Sequence, residues 1–460
     1  MTSNNETQTY SIKKNDSDPH RIVIVGGGAG GLELATSLGN KLGKSGRARI
    51  VLVDCTSVHI WKPLLHEVAA GSMDASAHQL EYAAQARWHH FVFQQGALTA
   101  LDRERKIITV AAVNDTDGFE LLPQRELAYD TLVLAIGSVT NFFKVPGAEQ
   151  HAIAVDTLSQ AEHFRSRMIA ACMRADRRID LREGEQAPRP KLNIAIIGGG
   201  ATGVELSAEL RNTAEVLGAY GLHQLDAKRD IHITLIEAAP RILSALPEQV
   251  SIKTAALLQK LHIKVMTNEK VSEIQPLKVA TASGKVLVSD LTVWAAGIQA
   301  PSILMQLGLA VNHLGQIKVA QTLVSETDPD IFAFGDCASC PWPLKDKSEN
   351  NTVPPRAQAA HQQAVFMFDA LERRLDGRPL QNFNYHDLGS LVSLGRFDAV
   401  GNLMGPLIGS TLFIEGFLAR MLYISLYRRH LIALHGFMRT TADTLGQWLQ
   451  RKTAPRVKLH

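Results

Sequence analysis

Ile22-Val23-Ile24-Val25-Gly26-Gly27-Gly28-Ala29-Gly30-Gly31 is the stretch whose reading decides the fold. Four residues of buried-strand character run straight into a glycine turn, and Leu32-Glu33-Leu34-Ala35 then opens a helix. Gly26, Gly28 and Gly31 stand at G-x-G-x-x-G spacing. The first glycine permits the tight turn, the second lets a pyrophosphate approach the backbone, and the third lets helix pack on strand. The helix N-terminus adds free N–H groups and a positive dipole end for the phosphates. Glycine-rich turns of this kind also occur without ligands, so a single copy is a moderate signal.

A second copy raises it. Asn193-Ile194-Ala195-Ile196-Ile197 leads into Gly198, Gly200 and Gly203 at the same spacing, and Val204-Glu205-Leu206 continues as a helix. Each copy is followed by a strand ending in an acid, Arg49 to Asp54 and His232 to Glu237. Asp54 lies 23 residues past Gly31, near the roughly 20-residue spacing at which a carboxylate meets an adenosine ribose hydroxyl. The bland alternative is a solvated strand end. Glu237 lies 34 residues past Gly203, an excess assigned to a lengthened helix and loop across Arg211 to Asp230. Two complete units imply two dinucleotides bound by different domains. Glu237 would repel a 2′-phosphate and so favour NADH over NADPH, although Arg241 is near enough to weaken that preference.

At 460 residues the chain is long enough for two or three domains. A composition of 45% hydrophobic and 20% charged residues is that of a globular protein, and a net charge of +3 gives no ground for nucleic acid as a partner. Four cysteines, Cys55, Cys172, Cys337 and Cys340, point to a reducing compartment rather than a disulfide framework. Met1 to His20 has no apolar core and reads as a disordered leader. No window reaches the ~18–20 apolar residues of a spanning helix.

Between the motifs, His59-Ile60-Trp61-Lys62-Pro63-Leu64-Leu65-His66-Glu67-Val68 has no clean period. It reads as a connecting loop or, through Lys62 and its aromatic and proline neighbours, as a wall against a flavin. Phe91-Val92-Phe93 and Lys106 to Val110 read as strands of an added β-unit. Tyr129 to Ser138 is a buried strand whose small end, Ala135 and Gly137, suits close passage of backbone beside a nucleotide. Val288 to Gly297 mirrors it, with Ala296 and Gly297 at the equivalent end. The charged stretch Met173 to Lys191 reads as a surface loop.

Asp330-Ile331-Phe332-Ala333-Phe334-Gly335-Asp336 resembles the second FAD signature of the two-dinucleotide-binding flavoproteins. That resemblance covers Arg21 to about Leu380 and implies that Asp336 meets the flavin's ribityl chain. A closer resemblance is to the type II NADH dehydrogenases, single-subunit NADH:quinone oxidoreductases. It rests on Lys62 to Val68, Gly198 to Leu206, Trp294-Ala295-Ala296-Gly297-Ile298 and Pro354 to Gln362. The last holds the Ala-Gln-x-x-x-Gln pattern that in this family lines the quinone pocket, so Gln358 and Gln362 are expected to face the quinone. Four residues apart on a helix, they share one face. Glu205 matches a glutamate placed by the family near flavin and nicotinamide. Cys337 and Cys340 form a C-x-x-C, but no second pair completes a metal site, and disulfide reductases carry their pair early in the chain. No metal is expected.

From Gly405 onward the segments Leu412-Phe413, Gly416 to Ala419, Met421 to Ile424, Leu431 to Leu434 and Trp448-Leu449 are apolar. Basic residues flank them, including Arg428, Arg429, Arg451, Lys452, Arg456 and Lys458. Such helices lie in a membrane interface, or they pack on the domain or a dimer partner. Delivery of a lipid-soluble quinone from the bilayer favours the first.

The expected fold is α/β: two Rossmann-like dinucleotide-binding domains, the NADH domain inserted in the FAD domain, plus a C-terminal helical membrane-associated segment. The expected bounds are 1–20 for the leader, 21–150 and 300–400 for the FAD domain, 151–299 for the NADH domain and 401–460 for the anchor. The expected function is oxidation of NADH with two-electron reduction of a membrane quinone, without proton pumping, in the respiratory chain. Hydride would pass to the flavin N5 and electrons on to quinone, with Glu205 handling position or protons. The enzyme would sit peripherally on the cytoplasmic side of the cell inner membrane, alone or as a homodimer. Rival readings are a sulfide:quinone oxidoreductase needing Cys172 and Cys337 beside the flavin, a soluble flavoprotein reductase, and a redox sensor without turnover.

Overall fold

The computed structural model describes residues 18–180, 191–219, 224–343, 351–395, 399–403 and 412–450. Most of the expected leader, and Arg451, Lys452, Arg456 and Lys458, lie outside the described residues. The chain groups into two compact units. The first comprises Met1–Ile60, Gln79–Val139 and Gln299–Tyr385. The second comprises Trp61–His78, Thr140–Ile298 and His386–His460.

The first unit is built on a five-stranded parallel sheet in the spatial order Ile331–Ala333, Thr131–Leu134, His20–Val25, Ala48–Asp54, Val92–Gln95. Its strands are near-continuous apolar runs, as a sheet covered on both faces requires, and Ile22, Val23, Ile24, Leu132 and Ile331 are fully buried. Register brings Val25, Val53, Leu134 and Ala333 level. The chain therefore leaves three neighbouring strands at one edge, as Gly26, Ala135 and Phe334. Ligands of open α/β sheets bind outside this carboxyl edge. The helix Ala357–Leu375 packs on the helix Ala29–Leu38. A three-stranded antiparallel sheet adds Arg125–Ala128, Ile107–Val110 and Leu98–Asp102. Phe91 to Phe93 had been expected in that added sheet. Val92–Gln95 instead extends the parallel sheet beside Ala48–Asp54. The helix Tyr82–Trp88 precedes it, and a helical crossover returns a strand parallel rather than antiparallel.

The second unit repeats the plan, in the order Ile153–Ala154, Leu291–Trp294, Leu192–Ile197, Ile231–Ile236, Ile263–Met266. Leu291–Trp294 holds the place that Thr131–Leu134 holds in the first sheet. The long helix Ala201–Ala219 takes up much of the excess interval before Glu237. The first part of the expected loop, Met173 to Asp180, is instead the end of the helix Leu158–Asp180. Ala161, Phe164, Met168, Ala171, Cys172 and Ala175 are buried at helical spacing. That period carries the helix into the charged stretch whatever its polarity. Residues 181–190 lie outside the described residues.

Lys62–Leu64 is a short 3-10 turn and Leu65–Ala70 a helix, packed on Leu158–Asp180 and Ala201–Ala219. An antiparallel sheet of Gly389–Ser393, Ala399–Leu403 and Leu412–Glu415 follows later in the chain, then the helices Gly416–His435 and Phe437–Gln450. Leu412-Phe413 is thus strand, not part of an interfacial helix. Ile414 of that strand is buried against Ala399 and Ala419 in a small core of its own.

Candidate functional site

The two glycine turns impose the same limits at their motif glycines. Gly26 has φ +105° and Gly198 φ +110°, a region that side chains with a Cβ avoid. A Cβ on Gly26 would come within 2.3 Å of the Ala135 carbonyl oxygen, and one on Gly198 within 2.7 Å of the Ala295 carbonyl. A Cβ on Gly31 would lie 1.8 Å from the Gly26 oxygen, and one on Gly203 1.9 Å from the Gly198 oxygen. The first and third glycines of each motif are therefore demanded by the fold. The second glycines are not: a Cβ on Gly28 or Gly200 would meet no atom within 4 Å. Space kept open at the helix N-terminus, where Gly28 caps the first helix without a side-chain bond and no acid stands in the first turn, fits a pyrophosphate. The residues present thus fit a dinucleotide in each unit.

The strand-end acids are more than solvated termini. Asp54 Oδ2 accepts the Gly27 N–H at 2.6 Å, and its Oδ1 accepts the Thr56 N–H at 2.9 Å. Glu237 Oε2 accepts the Gly199 N–H at 2.6 Å, and its Oε1 the Ala239 N–H at 2.7 Å. Both carboxylates brace their turn and remain at the ligand edge. Arg241, which could have compensated a 2′-phosphate, is engaged elsewhere. Its guanidinium donates to the carbonyls of Leu243, Ser244 and Leu246 and to Ser251 Oγ.

Sequence reasoning missed two supports of the first turn. The Gly27 carbonyl accepts from Tyr82 Oη at 2.7 Å and is 2.9 Å from His59 Nδ1. Burial pushes His59 down to about 4, so it is neutral and donates through Nδ1. No pattern in the sequence announces either residue. Asp336 follows the returning strand, and its Oδ2 accepts from Ser138 Oγ at 2.8 Å. The helix carrying Gln358 and Gln362 is locked to the same loop, because Gln363 Oε1 accepts the Gly335 N–H at 2.8 Å. It is tied to the first helix through His361 Nδ1, 2.8 Å from Glu33 Oε2. Gln358 and Gln362 are half-buried on one face of that helix. In the second unit, Ala296 and Gly297 follow the strand beside Gly198, and Lys62 pairs with Asp156 at 3.2 Å.

Glu205, two residues beyond Gly203, is buried. Its Oε1 accepts the Ser393 N–H at 3.0 Å, and its Oε2 is 3.6 Å from His66 Nδ1. Burial raises Glu205 to about 8, so near neutral pH it holds a proton. Cys337 and Cys340 are buried free thiols, each pushed up to about 12 by burial. A thiol nucleophile must ionise near neutral pH, so this C-x-x-C is core. Cys172, also about 12, is equally unreactive. Among the described residues no group of three or more His, Cys, Asp or Glu is placed to hold a metal.

The pyridine nucleotide-disulphide oxidoreductase family model matches residues 20–364. A type II NADH:quinone oxidoreductase of Haemophilus influenzae is 41% identical over 447 residues, covering 95% of this chain and 99% of that protein. The chain belongs to the type II NADH:quinone oxidoreductases. A solved structure of NDH2 from Plasmodium falciparum in complex with NADH matches with a TM-score of 0.78 at 19% identity, covering 96% of this chain and 99% of that one. The sulfide:quinone oxidoreductase of Aquifex aeolicus shares the fold, with a TM-score of 0.68 at 17% identity and coverage of 94% and 95%. Cys172 and Cys337, the pair that a sulfide:quinone reading would need as sulfur carriers, are buried and protonated.

Proposed function

We propose that this protein oxidises NADH and reduces a membrane quinone, with FAD in the first unit and NADH in the second. One observation carries the reading: each of two Rossmann units leaves open the place of a pyrophosphate at its second glycine, in a chain 41% identical over nearly its whole length to a type II NADH:quinone oxidoreductase. Bound FAD supplies the two-electron carrier between donor and acceptor.

The chain's own residues bind and orient. Gly26 to Gly31 and the helix end behind them hold the flavin's pyrophosphate, with Asp54 at the ribose and Asp336 at the ribityl chain. Ala135 and Gly137 line the same cofactor. Gly198, Gly200, Gly203 and Glu237 hold NADH, and Ala296 and Gly297 let it pass close to the backbone. The glutamate refuses a 2′-phosphate. Gln358 and Gln362 face the quinone, and their helix is fixed to the Gly335 loop, so the ring is oriented by a rigid element. Glu205 holds a proton near the reacting groups.

We place the enzyme peripherally on the cytoplasmic face of the inner membrane. No helix among the described residues is long and apolar enough to cross a membrane. The last two described helices nevertheless expose Phe417, Leu418, Met421, Leu426, Ile432, Phe437, Met438 and Leu445. Apolar area of that extent is costly in water and suits an acyl interface.

The test is purification in detergent, then anaerobic NADH, then a short-chain quinone. The reading requires a yellow protein that NADH bleaches and quinone re-oxidises with steady turnover. Bleaching by sulfide but not NADH would select the rival chemistry. A truncation before Gly416 that still cosediments with liposomes would remove the membrane assignment.

A further inference from the structure

The helix Gly416–His435 is apolar on two sides. Phe417, Leu418, Met421, Leu426 and Ile432 are exposed, whereas Ala419, Tyr423, His430 and Leu434 are buried. Its buried side is keyed into the second unit, where Trp61 stacks on His430 at 5.9 Å and lies 5.3 Å from Tyr427. Arg420 interrupts this apolar run, and an arginine there must reach either water or a polar partner. It reaches a partner: Arg420 Nη1 donates to Ser393 Oγ at 2.7 Å, and the Ser393 N–H donates to Glu205. The Tyr423 phenol lies beside the same carboxyl.

We propose that Arg420, acting through Ser393, is a positioning residue for Glu205, so that the helix offering one face to the membrane is also a wall of the Glu205 site. The inference rests on the reading above for the reaction concerned, but not for these contacts. It makes Glu205 sensitive to how the C-terminal helix is seated.

The groups acting on Glu205 come from three segments and do not all push one way. Burial raises it most, and the neighbouring Glu67 carboxylate raises it further. The Ser393 N–H, Tyr423 and Arg420 lower it. His66, driven down to about 4 by burial, carries no charge at neutral pH and serves only as a dipole. The signs separate positioning from mere packing. Removing the Arg420 cation while the pocket stays closed must make Glu205 hold its proton more tightly. Removing a filler would let water in and make Glu205 hold it less tightly.

The experiment is an infrared titration of the full-length detergent-solubilised protein, reading the protonated carboxyl band that Glu205→Gln abolishes, beside the pH profile of kcat/KM. Arg420→Gln is expected to raise the proton affinity of Glu205 by about threefold, since the arginine's charge is the weakest of the influences on that carboxyl. Glu67→Gln should lower it, and Arg420→Lys should return it near the parent. A lowered or unmoved midpoint in Arg420→Gln overturns the proposal. Should that variant not fold, Arg420→Met decides in the same way, with an upward midpoint supporting the proposal and an unmoved or lowered one overturning it. The band titrates without turnover, so loss of the NADH:quinone reading alone would leave this result standing.

Discussion

The two glycine turns are alike where they meet a phosphate and unlike behind it. In both, an acid at the end of the next strand takes the N–H of the residue after the first glycine. Behind the first turn, the Gly27 carbonyl takes two buried side-chain donors, Tyr82 and His59. Behind the second, the Gly199 carbonyl takes one backbone donor, the Leu243 N–H at 2.7 Å. The first turn is also closed in by Phe334 and Ala360, which a Cβ on Gly30 would strike. The difference teaches how one fold serves two purposes. On the function proposed, a turn braced by side chains from several segments is pre-organised for a ligand that stays, and one braced by an acid and a distant backbone N–H suffices for a ligand that leaves at every turnover.

The most damaging way to break the comparison is at the third glycines, where the fold itself is at stake. Gly31→Ala is expected to give a protein without flavin and destabilised by about 1–3 kcal/mol, as overpacking costs. Gly203→Ala, with the same local clash, should keep its flavin and lose NADH oxidation. Thermal melts and visible spectra read both. Loss of flavin in both variants would contradict independent sites.

A smaller effect sharpens the contrast. Tyr82→Phe removes one donor from the Gly27 carbonyl, a hydrogen bond of about 1 kcal/mol. Flavin release, followed by fluorescence of the freed cofactor, should quicken roughly fivefold while the KM for NADH holds. Glu237→Gln should narrow the preference for NADH over NADPH by about tenfold in kcat/KM, because it removes the charge but keeps a carbonyl oxygen for the turn. An unchanged ratio would mean that Arg241 or another group sets the choice.

The last effect is in stability. Glu205 has a folded value raised to about 8 above an ordinary carboxyl near 4.3, so the native state binds the extra proton between those values. Its contribution is fully present at low pH and is lost as pH rises from about 4.3 through 8. Relative to Glu205→Gln, the parent should lose stability over that window in denaturant titrations.

Legibility in the sequence followed the strength of the local constraint. The glycine motifs could be read because backbone sterics admit only one residue at Gly26, Gly31, Gly198 and Gly203, wherever the rest of the chain goes. The strand-end acids were legible from their spacing after each turn, though their bonds to Gly27 and Gly199 were not. Tyr82, His59 and Ser138 are ordinary residues whose roles arise from long-range packing, which no spacing records. Residues Met173 to Asp180 misled because charge was weighed above the helical period beneath it. Arg420 was visible as a charge in an apolar run, but its partner Ser393 was not, since the antiparallel sheet that brings it close has no strong local signature.

The central claim is that the first turn seats the resident carrier and the second receives the exchangeable donor. The most direct measurement is an anaerobic titration of purified Gly200→Ala, whose added methyl touches no protein atom, with NADH and then dithionite. The account predicts a folded yellow protein that dithionite bleaches fully, while NADH is needed at concentrations about tenfold or more above those for the parent, a loss of roughly 1.4 kcal/mol. A colourless protein, or bleaching by NADH as efficient as in the parent, would contradict it.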